Sequence, residues 1–382
     1  PMHPNHFPGR RQALQTLASL PMALATSGWA QPGKTASGSR GVTMAQIVDT
    51  STNQIDVTKD FLVGSRTAWQ EINGRGGLNG VAVRHLVLEV DGTAQSLRAA
   101  VDALKGEPQC MAVFGSAGDL AASQLVGLLA REMPDLPHVA PWLQNVETVA
   151  AASTFPIFAS RQDQIAHAIK SLSVIGISQV GAVYGSEAEY NAYRMDLEQI
   201  ARSLRLSIVS YRPRGDLRDL AQSLRPDSPR VLLFVGGTPE LVRFSQGVEK
   251  QAAQRYIIAM SDVNLLSIQQ MGMSRFTPMI ATQVVPMVNA NFPVVRAFRS
   301  ALGRLYDEAP TPLSLAGYIA ARYTFEVLQT LEGSISRASA MQAFAKRNIV
   351  DLGGYRINPD IRARGTAYVT QSMVSAEGRL IG

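Results

Sequence analysis

GSRTAWQEINGRGGLNG, residues 64–80, is the stretch on which the fold turns. Its first half continues an amphipathic helix: with Thr58 as the cap, Phe61, Ala68 and Ile72 recur at helical spacing and face one side. Asn73-Gly74-Arg75-Gly76-Gly77 then stops that helix, because Asn and Gly accept the positive φ that a helix C-terminus needs. On either side lie Val42–Val48 and Val83–Val90, apolar runs of strand length. Strand, helix and strand in that order form a βαβ unit, which implies a parallel sheet covered by helices.

The alternation continues outward. Met111–Phe114, Val180–Tyr184, Val231–Val235 and Tyr256–Met260 read as further strands with helical patterns between them, and the β-rich tail, Gly354–Ile357 and Ala367–Val374, breaks the pattern. At 382 residues and 46% hydrophobic content the chain exceeds what one core usually holds, so two lobes are expected. The first is placed at 41–158 with 283–346 and the second at 159–282 with 347–382, so the chain crosses between lobes more than once.

Residues 9–30 read as an address. Arg10-Arg11, a mildly apolar stretch from Ala13 to Ala25 and the small-residue exit Gly28-Trp29-Ala30 have the layout of a signal peptide, too short to remain as a membrane anchor. The arginine pair resembles a twin-arginine signal, with an ordinary secretory leader as the alternative. Residues 1–30 are therefore expected to be removed and 31–40 to serve as a flexible lead-in. No cysteine follows the apolar stretch, so a periplasmic protein without a lipid anchor or a membrane span in the mature chain is expected. The formal charge of +6 falls to +4 without Arg10 and Arg11, and the remaining Lys and Arg are scattered, which disfavours a nucleic-acid partner.

The residues needed for catalysis are missing. Cys110, the single cysteine, precedes the apolar run Met111-Ala112-Val113-Phe114 and reads as a buried thiol. The five histidines show no pair at metal-ligand spacing beyond His3 and His6 in the leader, so no metal and no cofactor are expected. GGTPE (236–240) lacks the lysine of a phosphate-binding loop, and GSAG (115–118) lacks the spacing of a nucleophile elbow. No enzymatic activity is expected from these motifs.

In this setting, residues 64–80 resemble the "A…INAxGGIxG" stretch of the branched-chain amino-acid-type periplasmic binding proteins of ABC transporters. VFGSAGDLAAS (113–123) is similar to that family's second βα turn, and PHVAPWLQN (137–145) to its "TPAAT" segment. VGAVYGSEAEYNAYRMDLEQIARSLRLSIV (180–209) and FVGGTPELVRFSQGVEK (234–250) resemble two further family stretches, in the same order along about 340 residues. The resemblance implies the type I fold, α/β with two doubly wound parallel-sheet lobes joined by a multi-strand hinge. It also implies a monomeric receptor that closes on a small carboxylate-bearing ligand, an amino acid or related organic acid, and delivers it to ABC permease subunits. The alternative is a ligand sensor of the same fold, uncoupled from transport.

Ser116, Ala117 and Gly118 follow a strand and precede a helix, so by the resemblance their amides and the Ser116 hydroxyl are expected to hold the carboxylate at the helix N-terminus, with a plain tight βα turn the competing reading. By the resemblance, Trp142 and Gln144 contact the ligand, Tyr190 closes over it, and Tyr318 lines a side pocket, with core packing the competing reading for the aromatic residues. The acidic partner of a ligand ammonium aligns with Ser261, or with Asp262 after a one-residue slip. Ser261 would disfavour an α-amino acid, because a buried ammonium without a counter-charge is costly.

Overall fold

The computed structural model describes residues 41–145, 151–273, 277–360, 367–375 and 379–382. The expected leader and lead-in lie outside them. The first lobe opens with β1 (Val42–Asp49), α1 (Ile55–Gly74), β2 (Val83–Val90), α2 (Ala94–Lys105), β3 (Cys110–Phe114), α3 (Asp119–Glu132), β4 (His138–Val139) and β5 (Thr154–Phe155). Its sheet has the order β2-β1-β3-β4-β5 and is parallel throughout.

Every residue of β1 is buried because both faces are covered. Met44 and Val48 point to the core shared with α1, whereas Ala45 and Ile47 point to the one shared with α2 and α3. Cys110 lies in the second of these cores, and burial raises its thiol pKa to about 11.

The second lobe comprises α4 (Arg161–Val174), β6 (Gln179–Tyr184), α5 (Glu187–Ser203), β7 (Ser207–Tyr211), α6 (Leu217–Gln222), β8 (Val231–Val235), α7 (Thr238–Val248), β9 (Tyr256–Ala259), α8 (Leu265–Gln270) and β10 (Met279–Gln283). The chain then returns to the first lobe with α9 (Pro293–Leu305), α10 (Pro312–Leu328), α11 (Arg337–Ala345), β11 (Val350–Asp351) and β12 (Arg356–Ile357). It ends in the second sheet with β13 (Thr370–Val374) and β14 (Leu380–Ile381). That sheet runs β14-β13-β10-β9-β8-β6-β7; β13 and β14 pair antiparallel and the other strands parallel.

The chain therefore passes between lobes three times: between β5 and α4, between β10 and α9, and between β12 and β13. The tail departs from expectation here. Residues 350–357 were assigned with the second lobe, but Leu352, Tyr355 and Ile357 belong to the first-lobe core, and only β13 and β14 join the second sheet.

Two local details also differ from the sequence reading. The α1 helix begins at Ile55 after Gln54, so Thr58 lies inside the first turn, and its hydroxyl donates to the Asp49 carbonyl at 2.6 Å instead of capping. Gly64, in the opening stretch, is a contact residue. A Cβ there would lie 1.7 Å from the Ser314 carbonyl oxygen, and one on Gly317 would lie 1.8 Å from that of Phe61. The two glycines let α1 and α10 approach closer than side chains allow.

Candidate functional site

The carboxyl ends of the strands of both sheets converge on one cleft, as expected where doubly wound sheets change direction. It encloses about 440 Å³, part of it open to solvent. The first lobe contributes Asn53, Gln54, Val57, Asp119, Trp142 and Gln144. The second contributes Arg161, Glu189, Thr238, Glu240 and Asp262, with Gly237 beside them.

Arg161 is the first residue of α4, behind a capping box formed by Ser160 and Asp163. A cation at that end opposes the helix dipole. Other groups hold it in place. Its Nη2 donates to Asp262 Oδ2 at 2.5 Å, its guanidinium lies 5.0 Å from the centre of the Tyr193 ring, and its backbone N–H crosses to the Gln144 carbonyl at 2.7 Å. Burial outweighs the arginine and raises the Asp262 carboxyl to about 6, with repulsion from Asp119 acting in the same direction.

The remaining contacts leave polar atoms unused. Asp119 Oδ1 accepts the Gln144 N–H at 3.2 Å, and Gln54 Oε1 accepts the Asp119 N–H at 3.3 Å. Four buried side-chain atoms on the residues lining the cleft have no partner: Trp142 Nε1, Gln144 Oε1, Arg161 Nε and Asp262 Oδ1. Buried polar groups are normally satisfied, so such a group around a cavity indicates a place for a polar ligand.

Ser116 is not among the residues that line this cleft. Ser116 is 1% exposed, and its hydroxyl lies 2.6 Å from His138 Nε2, with the Thr154 hydroxyl 3.4 Å from Nδ1 on the other side of the ring. Burial drives the His138 pKa down to about 3, so the imidazole is neutral and the serine belongs to an interior polar chain. The Ala117 N–H donates to the Ile47 carbonyl, extending the pairing of β1, and the Ser116 carbonyl accepts the Trp142 N–H. Gly118 has φ +105° and lies against Asp49, where a Cβ would sit 2.4 Å from the Asp49 Cβ. A carboxylate of the chain itself thus occupies the neighbourhood expected for the ligand's carboxylate.

The other expected residues divide. Trp142 and Gln144 line the cleft, although the Trp142 ring also packs against Phe61 and Phe158 in the core at 5.7 and 5.2 Å. Asp262 lines the cleft, whereas Ser261 is not among its lining residues and its backbone N–H donates to Gln164 Oε1 at 2.8 Å. Tyr190 is not among the cleft residues. It packs edge-on against Tyr184 at 5.2 Å with Arg194 and Arg212 over its ring, and Glu189 lines the cleft in its place. Tyr318 is also elsewhere: its hydroxyl donates to Glu71 Oε2 at 2.5 Å and its ring packs on Phe298, in a separate groove of the first lobe.

Arg161, Asp119, Glu189 and Glu240 were not anticipated. One signal was available for Arg161: the capping-box pattern Ser160-x-x-Asp163 marks a helix start, and a cation just inside it is misplaced unless it serves something else.

A family profile described as "Periplasmic binding protein" matches residues 41–378. The chain belongs to that family. Among solved structures, this periplasmic binding protein is similar to an extracellular ligand-binding receptor from Verminephrobacter eiseniae, with a TM-score of 0.80 and 16% identity over 90% of this chain and 100% of the other. A substrate-binding periplasmic protein from Ralstonia solanacearum follows at 0.77 and 21%, covering 89% and 99%. The branched-chain amino acid transporter substrate-binding protein from Streptococcus pneumoniae, in complex with isoleucine, superposes at 0.74 and 14%, covering 90% and 98%. At these identities the likeness establishes the type I fold, two parallel-sheet lobes around a cleft. No curated protein matches the chain. Among the described residues no helix is long and apolar enough to cross a membrane.

Proposed function

We propose that this protein is an exported receptor that captures a small polar solute in the cleft and hands it to an ABC importer. The carrying observation is the group of four unpartnered buried atoms, Trp142 Nε1, Gln144 Oε1, Arg161 Nε and Asp262 Oδ1, two from each lobe around one cavity. Leaving buried polar atoms unmade costs about 1–3 kcal/mol each, and a solute that meets them recovers that cost only while both lobes touch it. Binding is thereby coupled to closure, and a closed receptor presents its permease with a distinct shape.

Delivery to permease subunits is supported by the relatives named as transporter substrate-binding proteins. The carboxylate expectation loses part of its support, since the Ser116 hydroxyl and the Ala117 N–H assigned to it are engaged within the first lobe. Arg161 Nε and Trp142 Nε1 remain as donors for an acceptor on the solute. A melting screen of the mature protein against amino acids, organic acids and amines tests the reading: a solute at 100 times its Kd stabilises by about 2.7 kcal/mol. Solution scattering with that solute is expected to show a smaller radius of gyration; an unchanged radius at saturation contradicts capture by closure.

A further inference from the structure

The charge around the cleft runs against that of the chain. Four carboxylates line it, Asp119, Glu189, Glu240 and Asp262, against the one guanidinium of Arg161, a surplus of three negative charges in a protein of net charge +6. Arg161 is paired with Asp262 and lies over Tyr193, and its single charge is shared further with Asp119, Glu189 and Glu240. Burial holds the Glu240 carboxyl above its usual range, and the neighbouring Glu189 adds to this. Next to the cleft residue Val57, Asp56 carries a further carboxyl that burial holds above its usual range.

A second observation points to the sign of the ligand. Gln144 is 2% exposed, and its unpartnered Oε1 is an acceptor only; Asp262 Oδ1, equally unpartnered, is an acceptor carrying charge, while the two remaining atoms, Arg161 Nε and Trp142 Nε1, are donors that an acceptor elsewhere on the solute, or water, would meet. Closing two lobes over uncompensated carboxylates removes them from water at a cost that only an opposite charge offsets. A carboxylate solute would add a fifth negative group, and a zwitterion would leave the surplus unchanged. An ammonium, amidinium or guanidinium offers several N–H donors for Gln144 Oε1 and Asp262 Oδ1 and neutralises part of the excess.

We infer that the solute carries net positive charge: an organic amine, amidine or guanidine, including a basic amino acid. This rests on the solute-receptor reading and specifies its ligand class.

The test is a melting and calorimetric comparison of the full mature protein with four probes: agmatine, putrescine, isoleucine and benzoate. Agmatine or putrescine is expected to raise the melting temperature, while isoleucine and benzoate leave it in place. Stabilisation by isoleucine or benzoate with none by the cations overturns the charge inference and leaves the receptor reading intact. Silence from all four probes at 10 mM, roughly a weak-binding concentration on the affinity scale, counts against both. With the cation that binds, Glu189→Gln and Asp119→Asn are each expected to weaken affinity about ten-fold, the loss of one charge-assisted contact. Unchanged or tighter binding by both variants overturns the assignment even where the cation binds.

Discussion

The turn Gly115–Gly118 after β3 and the edge Met260–Asp262 after β9 hold equivalent places in the two lobes, each at the carboxyl end of a central parallel strand. Their roles are opposite. In the first lobe Ser116 binds His138, Ala117 extends β1, and Asp49 lies against Gly118, so the serine hydroxyl and the Ala117 amide are used within the lobe. In the second, Asp262 gives one oxygen to Arg161 and keeps the other free at the cleft. A loop with the composition of an anion site thus becomes one only if the surrounding fold leaves its donors unused. A carboxylate held half-satisfied by a buried arginine is the stronger sign of a site.

The largest expected effect lies on the second-lobe side. Asp262→Leu leaves Arg161 buried without its partner and should destabilise the empty protein by roughly 3–5 kcal/mol, read from urea unfolding. Adding Arg161→Met should restore most of that loss, because two apolar side chains remove the orphaned charge along with the pair. A double variant as unstable as the single one would mean that the pair is not what holds this edge.

On the first-lobe side the effect is carried by pH. Burial holds His138 and His85 at about 3 in the fold, below the ordinary 6.5 of the unfolded chain. The unfolded state therefore takes up protons first, and stability present above pH 6.5 is lost as the pH falls from there towards 3. Each histidine contributes about 1.4 kcal/mol per pH unit over that window. Asp262, raised to about 6, opposes the loss by about one proton between pH 6 and 4. His138→Gln should flatten the dependence by one proton's slope in denaturation measured from pH 7 to 5; an unaltered slope would show that the ring is protonated in the fold.

Ser116→Ala sharpens the contrast. It removes the partner of a buried imidazole nitrogen and should lower the stability of the empty protein by about 1–3 kcal/mol while sparing affinity. The smallest expected effect concerns the cation itself. Asp262, with Arg161 and Asp119 as its charged neighbours, gains a proton as the pH falls through about 6, so binding should weaken about two-fold between pH 7 and 6 in calorimetry. Affinity that rises on acidification would place the cation elsewhere.

The parallel strands were legible in the sequence because strands covered on both faces read as short apolar runs: Val231–Val235 was found with its observed bounds, and Tyr256–Met260 overran by one residue. β4 and β5 were missed as separate strands because two residues carry no periodicity, and β10 because Met279–Gln283 mixes Thr and Gln into a short run. The hairpin at 350–357 was given to the wrong lobe because local pattern says nothing about which core receives a strand. In the site, Trp142, Gln144 and Asp262 were reachable from position along the chain. Ser116 misled because its partner, His138, is 22 residues away in a neighbouring strand. The acidic lining was invisible for a similar reason. Asp119, Glu189 and Glu240 come from three different strand-to-helix turns, and only the folded sheets bring them to one cleft.

The central claim is that the solute is held by the second-lobe edge and not by the Ser116 turn. Calorimetric titration of Asp262→Asn and Ser116→Ala, with the probe that most stabilises the unaltered protein, tests it most directly. The expected result is a loss of about ten-fold or more for Asp262→Asn, which removes a charged contact, and no change for Ser116→Ala. A loss confined to Ser116→Ala, with Asp262→Asn binding as before, would contradict it.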